Sequence, residues 1–362
     1  MISKLSLLVA SASSAAVWDY ATNGADWPNL SATDVPNNQC GSTNQSPIDL
    51  ISYNPDKKED FPYKRYPATE DQYRKSYSNQ FASALAFNGH TTQLDLDPND
   101  GVNTFNSKMG EKLFGSVKEF NGVQFHFHAG SEHTIDGKRH DFEMHTVHLT
   151  QGSAATPAVP FANQAGGVGA AAVGIMFSVK DYTANLTWAE QQVIDTFFDS
   201  LKLDDLGTET STGSGKYSHN IDMALYGNLM QMVDNGNRWV YKGSVTTPPC
   251  ATYVYWNVMS TIYPISQRHL DLFKAQLDLG EGGKLDERGN WREIQKVDKH
   301  DVAYIMTGGV EDVEPMYKGL MAGIIVLAII SFILLIITTV LCMKKPTRKE
   351  EIEMQKSQAA EE

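Results

Sequence analysis

QFHFHAGSEHTIDGKRHDFEMHTVH, Gln124 to His148, holds six of the ten histidines in a chain of 362 residues. In QFHFH, His126 and His128 stand two apart. On a strand, side chains two apart share a face, so these imidazoles point one way and Phe125 and Phe127 point the other, into apolar packing. His145 follows 17 residues after His128, with the turn pair Asp136-Gly137 between them. That spacing predicts a second strand returning antiparallel beside the first, with Glu143, His145 and Val147 on one face. Three imidazoles then converge from two adjacent strands. Such a set suits Zn2+, and three protein ligands leave the fourth position open, as in catalytic zinc sites. Gln124 shares the face of His126 and Glu143 that of His145, so each ring has an acceptor to orient it. A single strand histidine is more often a surface or satisfied core residue. The HxH pair, a third histidine and a carboxylate two before it together favour the metal. His133 reads as structural, His140 as loop surface, and His148 as a packed strand residue facing away from the metal.

Outward from this stretch, strand signals dominate. Short apolar-rich or alternating runs lie at Phe81–Phe87, Thr92–Leu96, Val123–His128, Glu143–Leu149, Val173–Val179 and Thr252–Met259. Asn88-Gly89 between the first two is a hairpin-turn signal. Helices are few. Thr187 with Glu190 forms a capping box before a periodic stretch ending near Leu201, and Ser266–Gln276 is a second candidate. The fold class expected is mainly β or α+β: one domain on a large twisted, mostly antiparallel central sheet, with short peripheral helices. Gln151–Ala172, rich in Ala, Gly and Pro, and the polar stretch Asp205–Tyr217 read as soft inserts.

The two ends bear on location. Met1–Ala16 has Lys4, a short apolar run and small residues at Ser14 and Ala16, the layout of a signal peptide cleaved after Ala16. Gly319–Met343 is 25 residues without a charge, enough for a transmembrane helix where a span needs about 20. Lys344, Lys345, Arg348 and Lys349 follow it, while Glu311, Asp312 and Glu314 precede it, which keeps the tail cytoplasmic. The expected layout is a signal peptide over 1–16, a domain over 17–306, an acidic connector over 307–318, the span over 319–343 and a tail over 344–362. The chain is then a single-pass type I membrane protein whose domain is extracellular or lumenal, held to the lipid bilayer by one C-terminal helix. Sequons at Asn29 and Asn185 suit that compartment. The net charge of −13 argues against nucleic acid as a partner. Of three cysteines, Cys342 ends the span. Cys40 and Cys250 remain in a compartment that permits a disulfide, a count too small to establish one.

In order along the chain, WDYATNGADWP, CGSTNQSPIDL, FNGHTTQL, the histidine stretch, GSVTTPPC and NWREIQ resemble the α-class carbonic anhydrases over about Trp18 to Tyr304. The resemblance implies reversible hydration of carbon dioxide to bicarbonate and a proton by a zinc-held hydroxide. It implies that His126, His128 and His145 bind zinc, with Gln124 and Glu143 orienting two of them and the Asn290 backbone supporting His128. Thr246 would accept from the hydroxide and donate to Glu132, and His90 would shuttle the proton. Tyr20 would join the water network. Val147, Ala172, Val245, Thr247 and Trp256 would line the substrate pocket. It also implies a Cys40–Cys250 disulfide, as in extracellular members. Ala129 stands where the family often has tryptophan, Ala172 where it often has valine, and Glu293 where a proline is usual. Those departures bear on inhibitor preference and turnover.

Three readings compete. One is a membrane-anchored zinc enzyme. A second is a catalytically inactive binding ectodomain of the same family, against which stand all three histidines with Thr246 and Glu132. A third keeps the enzyme but holds the domain in the cytosol by a tail anchor, with the cysteines reduced. Glycosylation at Asn29 or Asn185 would exclude it.

Overall fold

Alternating aromatic and polar residues give a strand two usable faces, and the longest strands here use both. The structure is a computed structural model. It describes residues 18–114, 119–150, 169–205, 217–277, 285–297, 300–308, 327, 330, 331, 333, 334, 348–358 and 360. The chain divides into a unit up to Gly308 and a second from Gly309.

In the first unit the strands are β1 (Asp49–Leu50), β2 (Lys64–Pro67), β3 (Arg74–Ser76), β4 (Gln80–Phe87), β5 (Thr92–Asp95), β6 (Thr104–Asn106), β7 (Glu119–His128) and β8 (Thr134–Ile135). They continue as β9 (Lys138–Arg139), β10 (Phe142–Thr150), β11 (Ala170–Ser178), β12 (Tyr217–Ala224), β13 (Arg238–Gly243), β14 (Val254–Met259), β15 (Tyr263–Pro264) and β16 (Ala303–Met306). Thirteen of them form one mixed sheet in the order β12-β4-β5-β7-β10-β11-β14-β13-β16-β2, with β15, β3 and β6 paired off this path. Most pairings are antiparallel; β11–β14, β11–β15 and β16–β2 are parallel. A small sheet, β1-β8-β9, lies apart.

The helices are short: α1 (Ala68–Asp71), α2 (Lys108–Phe114), α3 (Trp188–Ser200), α4 (Tyr226–Met232), α5 (Gln267–Leu277) and α6 (Leu285–Arg288). α3 starts at the expected capping box: Thr187 Oγ1 accepts from the Glu190 N–H at 3.3 Å, and Glu190 accepts from the Thr187 N–H at 2.7 Å. One face of the central strands packs on α3 and α5. Phe127 and Phe142 lie 4.7 and 4.6 Å from Phe273, and Phe125 stacks on Tyr226 of α4 at 4.7 Å. Each such ring, fully buried, is worth about 2–3 kcal/mol of transfer free energy. That anchoring holds the other face of the same strands in place.

Register decides what the other face carries. β10 runs antiparallel to β7 with His145 opposite His126 and Glu143 opposite His128. Gly174 of β11 lies opposite His145, and Ala172 opposite Val147. Trp256 of β14 pairs with Ala172. The hairpin β4–β5 turns at Asn88-Gly89, where Gly89 sits at φ +98°, the left-handed region that glycine adopts without steric penalty.

Three expectations need correction. Ala170–Ala172 is not soft insert but the buried start of β11, where small side chains leave room for a close strand. Tyr217 is not loop; it opens β12, whose alternation is weak because the strand lies at the sheet edge. His140 is not surface: it is 6 % exposed, since its backbone pairs with Ser131 on both N–H and C=O. The proposed signal peptide, residues 151–168 and 206–216 of the two inserts, and most of the apolar run lie outside the described residues. Among the described residues no helix is long and apolar enough to cross a membrane. In the second unit, α7 (Arg348–Gln358) is a polar, exposed helix.

Candidate metal centre

Each of the three histidines is held by one ring nitrogen, which leaves the other uncommitted. His126 Nδ1 donates to Gln124 Oε1 at 2.8 Å. His128 Nδ1 donates to the Asn290 carbonyl at 2.6 Å. His145 Nε2 donates to Glu143 Oε1 at 2.9 Å. A ligand nitrogen from each ring lies within 4.8 Å of the others, and the ring centroids are 4.6 to 5.2 Å apart. Burial, with the neighbouring imidazoles, holds His126 well below the ordinary histidine range, and burial lowers His128 as well. Both are therefore neutral at neutral pH, the form a metal needs.

The fit to zinc rests on orphaned atoms. His128 Nε2 and Glu132 Oε2 are buried with no hydrogen-bond partner. Buried polar groups rarely stay unpaired. Three neutral imidazoles with outer acceptors already in place are a donor set that zinc accepts.

Glu143 organises the outer layer. It accepts from His145, from His133 Nδ1 at 2.8 Å and from the His133 N–H at 2.8 Å. Burial pushes its pKa up, but the imidazoles of His133 and His145 outweigh that and hold the carboxyl well below its ordinary range. His133 Nε2 in turn lies 2.8 Å from the Tyr241 hydroxyl, which lies 2.9 Å from Ser46 Oγ. Asn290 is equally central. Its amide donates to the carbonyls of His90 and Phe127 and accepts from the Ala129 N–H, so it ties the end of β7 to the His90 turn.

Glu132 and Thr246 are both buried, but the expected hydrogen bond between them is not made. Glu132 spends Oε1 on the Arg292 N–H at 2.9 Å and turns Oε2 toward the imidazoles, 3.6 Å from His128 Nε2 and 3.9 Å from His145 Nδ1. Thr246 and Thr247 sit in the turn after β13, closed by the Cys250 N–H on the Thr247 carbonyl. Ala172 and Trp256 belong to one apolar cluster, with Val147 and Val245 packed against it. His90 is half-buried and stacks on Trp18 at 4.1 Å. Tyr20 is buried edge-on to Trp18 and Trp27, its ring 6.3 Å from that of His90. Cys40 and Cys250 form a disulfide.

Some residues of this arrangement had no clear mark in the sequence. Tyr241 and Ser46 give no local signal for contact with His133. Gly174 reads as one small residue in a strand, yet a Cβ there would stand 2.7 Å from Glu143 Oε1. Arg292 lies in a quoted motif, but its role does not show there. It is 1 % exposed, and its guanidinium donates to Gln45 Oε1 and to the carbonyls of Ser46 and Cys40. Burial lowers its pKa to about 10.

The chain belongs to the eukaryotic-type carbonic anhydrase family, whose model matches residues 24–306. It is 27% identical to carbonic anhydrase 6 of Mus musculus over 75% of this chain and 75% of that protein. It is also 27% identical to carbonic anhydrase 7 of Homo sapiens, over 67% of this chain and 80% of that one. Among solved structures, dioscorin complexed with ascorbate matches with a TM-score of 0.50 at 22% identity, over 78% of this chain and 93% of that one, a likeness of fold.

Proposed function

We propose that this chain is a zinc-dependent carbonic anhydrase that converts carbon dioxide and water reversibly to bicarbonate and a proton. The observation that carries the reading is the trio of imidazoles, each fixed by an outer acceptor and each with its second nitrogen left for one common point. His126, His128 and His145 would hold the zinc, which when bound supplies a Lewis acid that makes a nucleophile from water at neutral pH. The chain's own residues do the rest. Gln124, Glu143 and the Asn290 carbonyl fix tautomer and ring orientation. Val147, Ala172, Val245, Thr247 and Trp256 form the wall that takes the apolar substrate and limits competing water. Glu132, whose Oε2 faces the imidazoles, and Thr246 are the groups that orient the reacting oxygen. His90 passes the released proton outward, a task suited to an imidazole, which can both accept and donate a proton. Tyr20 supports the waters between.

The reading extends to location. Residues 1–16 act as a signal peptide, 17–306 as the catalytic domain, 307–318 as an acidic connector, 319–343 as the transmembrane helix and 344–362 as the cytoplasmic tail. The catalytic domain is then extracellular or lumenal. The charge asymmetry about the apolar run supports this, as do the disulfide and the exposure of both sequon residues, Asn29 and Asn185.

A second reading, an inactive binding domain on the same fold, is favoured by one observation: Thr246 and Glu132 are not hydrogen-bonded. Stopped-flow hydration of carbon dioxide by the full-length protein, with its zinc assayed, separates the two. Turnover with one zinc per chain, both lost in His145→Ala, supports the enzyme. Bound zinc without turnover supports the binding domain, and a folded protein without zinc affinity refutes both zinc-based readings.

A further inference from the structure

The Asp136-Gly137 pair does more than reverse the chain between two histidine strands. Both residues have positive φ, +51° and +73°, the mark of a two-residue hairpin turn. The turn folds β9 back on β8 with Arg139 opposite Thr134. Just beyond, the Ser131 N–H donates to the His140 carbonyl and the His140 N–H to Ser131 Oγ. Arg139 is thereby returned to the segment that carries Glu132. Its stem lies against Gly130, where a Cβ would stand 3.4 Å from Arg139 Cγ and Cδ.

The half-buried guanidinium of Arg139 then makes two kinds of contact. Nη1 donates to the carbonyls of Ser131 and Glu132, the second at 3.1 Å. The group also lies over the Trp291 indole, its central carbon 3.7 Å from the ring centre. Trp291 is the neighbour of Arg292, whose N–H donates to Glu132 Oε1 at 2.9 Å. The Trp291 carbonyl is held in turn by the Asn23 side-chain amide at 2.9 Å, and the Glu293 N–H donates to the Asn23 carbonyl. One cation therefore links both fixed ends of Glu132: its own carbonyl, and the segment that holds its carboxylate. A guanidinium suits this task because it stays charged, stacks on an aromatic face and donates within its own plane. Glu132 needs such support. It is buried, and Oε2 points toward the imidazoles with no hydrogen-bond partner, so its aim depends on Oε1 and on the backbone.

We propose that Arg139 is a positioning residue for Glu132: stacked on Trp291, it fixes the Ser131 and Glu132 carbonyls against the Trp291-Arg292 segment and so aims Oε2 at the point the three imidazoles share. Its effect on turnover rests on the hydration reading above, whereas the clamp itself is read without turnover.

The test compares the full-length parent with Arg139→Met, which keeps the stem but loses the donors and the charge. The Arg292 N–H reports the hydrogen bond to Glu132 directly, and its exchange with solvent deuterium should speed up at least about tenfold. Zinc affinity, measured by chelator competition, should stay within about twofold, since Arg139 bonds to none of the three histidines or the groups that orient them. In stopped flow, kcat/KM for hydration should fall about tenfold. In a Glu132→Gln chain the same Arg139→Met change should cost less than about twofold, because Arg139 acts through Glu132. Arg139→Lys restores the charge without the planar stack and should regain about a third of the parent's kcat/KM. Trp291→Leu removes the stacking face and carries the test if Arg139→Met fails to fold. Unchanged exchange at Arg292 overturns the proposal. So does an equal loss of kcat/KM with and without Glu132, or a loss of zinc affinity of about tenfold or more, which would make Arg139 a support of the metal ligands instead. If the parent itself gives no turnover, the hydration reading fails, and exchange at Arg292 alone decides the clamp.

Discussion

Glu143 meets three donors with two oxygens, the N–H and Nδ1 of His133 and Nε2 of His145. Glu143→Gln keeps the shape but has one acceptor oxygen, so its amide NH2 must face an N–H. The expected result is a drop in zinc affinity of about 10- to 100-fold, measured by chelator competition, and a loss of about 2 kcal/mol in stability by denaturant unfolding. His148 makes a different test. It is buried against Phe105 and Tyr77, whose hydroxyl lies 2.9 Å from its Nε2, and burial lowers its pKa from 6.5 to about 3. The unfolded chain therefore takes up the proton first. Stability from this group is complete above pH 6.5 and is lost as pH falls toward 3. Between pH 6.5 and 5.5 the parent should lose about 1 kcal/mol more than His148→Gln. Equal slopes in the two chains would remove the assignment. That His148 faces away from the metal was legible from parity alone. That His140 is buried was not, because its backbone is held to Ser131 by a turn that strand parity does not describe.

At the scale of elements, β11 shows how a strand can serve a site without contributing a ligand. Ala172 and Gly174 are small where β10 presents Val147 and His145. A methyl at Gly174 would stand 2.7 Å from Glu143 Oε1, a carboxylate already held by three donors. Gly174→Ala should therefore lower zinc affinity about tenfold while the far-ultraviolet spectrum stays that of the parent. Unchanged affinity would mean that Glu143 relaxes without cost. The strands that were legible, β4, β5, β7, β10, β11 and β14, carry alternation or dense apolar runs between turn residues, and α3 carries its capping box. β12 and β16 were not, because an edge strand and a four-residue strand have too few apolar positions to set a period.

Across the whole molecule, the Cys40–Cys250 disulfide closes a separation of 210 residues. In the chain-entropy account such a loop is worth about 5 kcal/mol. It also anchors the site. Arg292 donates to the Cys40 carbonyl and, through its N–H, to Glu132, while Gln45 donates to the Cys250 carbonyl. Reduction should lower stability by several kcal/mol in denaturant titrations, and zinc affinity should fall with it. A shift below about 1 kcal/mol would show that the unfolded chain is already restrained near this closure.

What the sequence by itself determined is what short-range physics controls. Parity along a strand put His126 with His128 and Glu143 with His145, and an N-terminal cap marked the start of α3. These follow from backbone geometry within a few residues. Tertiary structure alone decided which distant groups complete the site. His128 is oriented by a carbonyl 162 residues away, Glu132 is engaged by Arg292 rather than Thr246, and His133 meets Tyr241 across 108 residues. Such partners are chosen only when apolar burial brings distant segments together, and the polar groups caught between them must then satisfy one another.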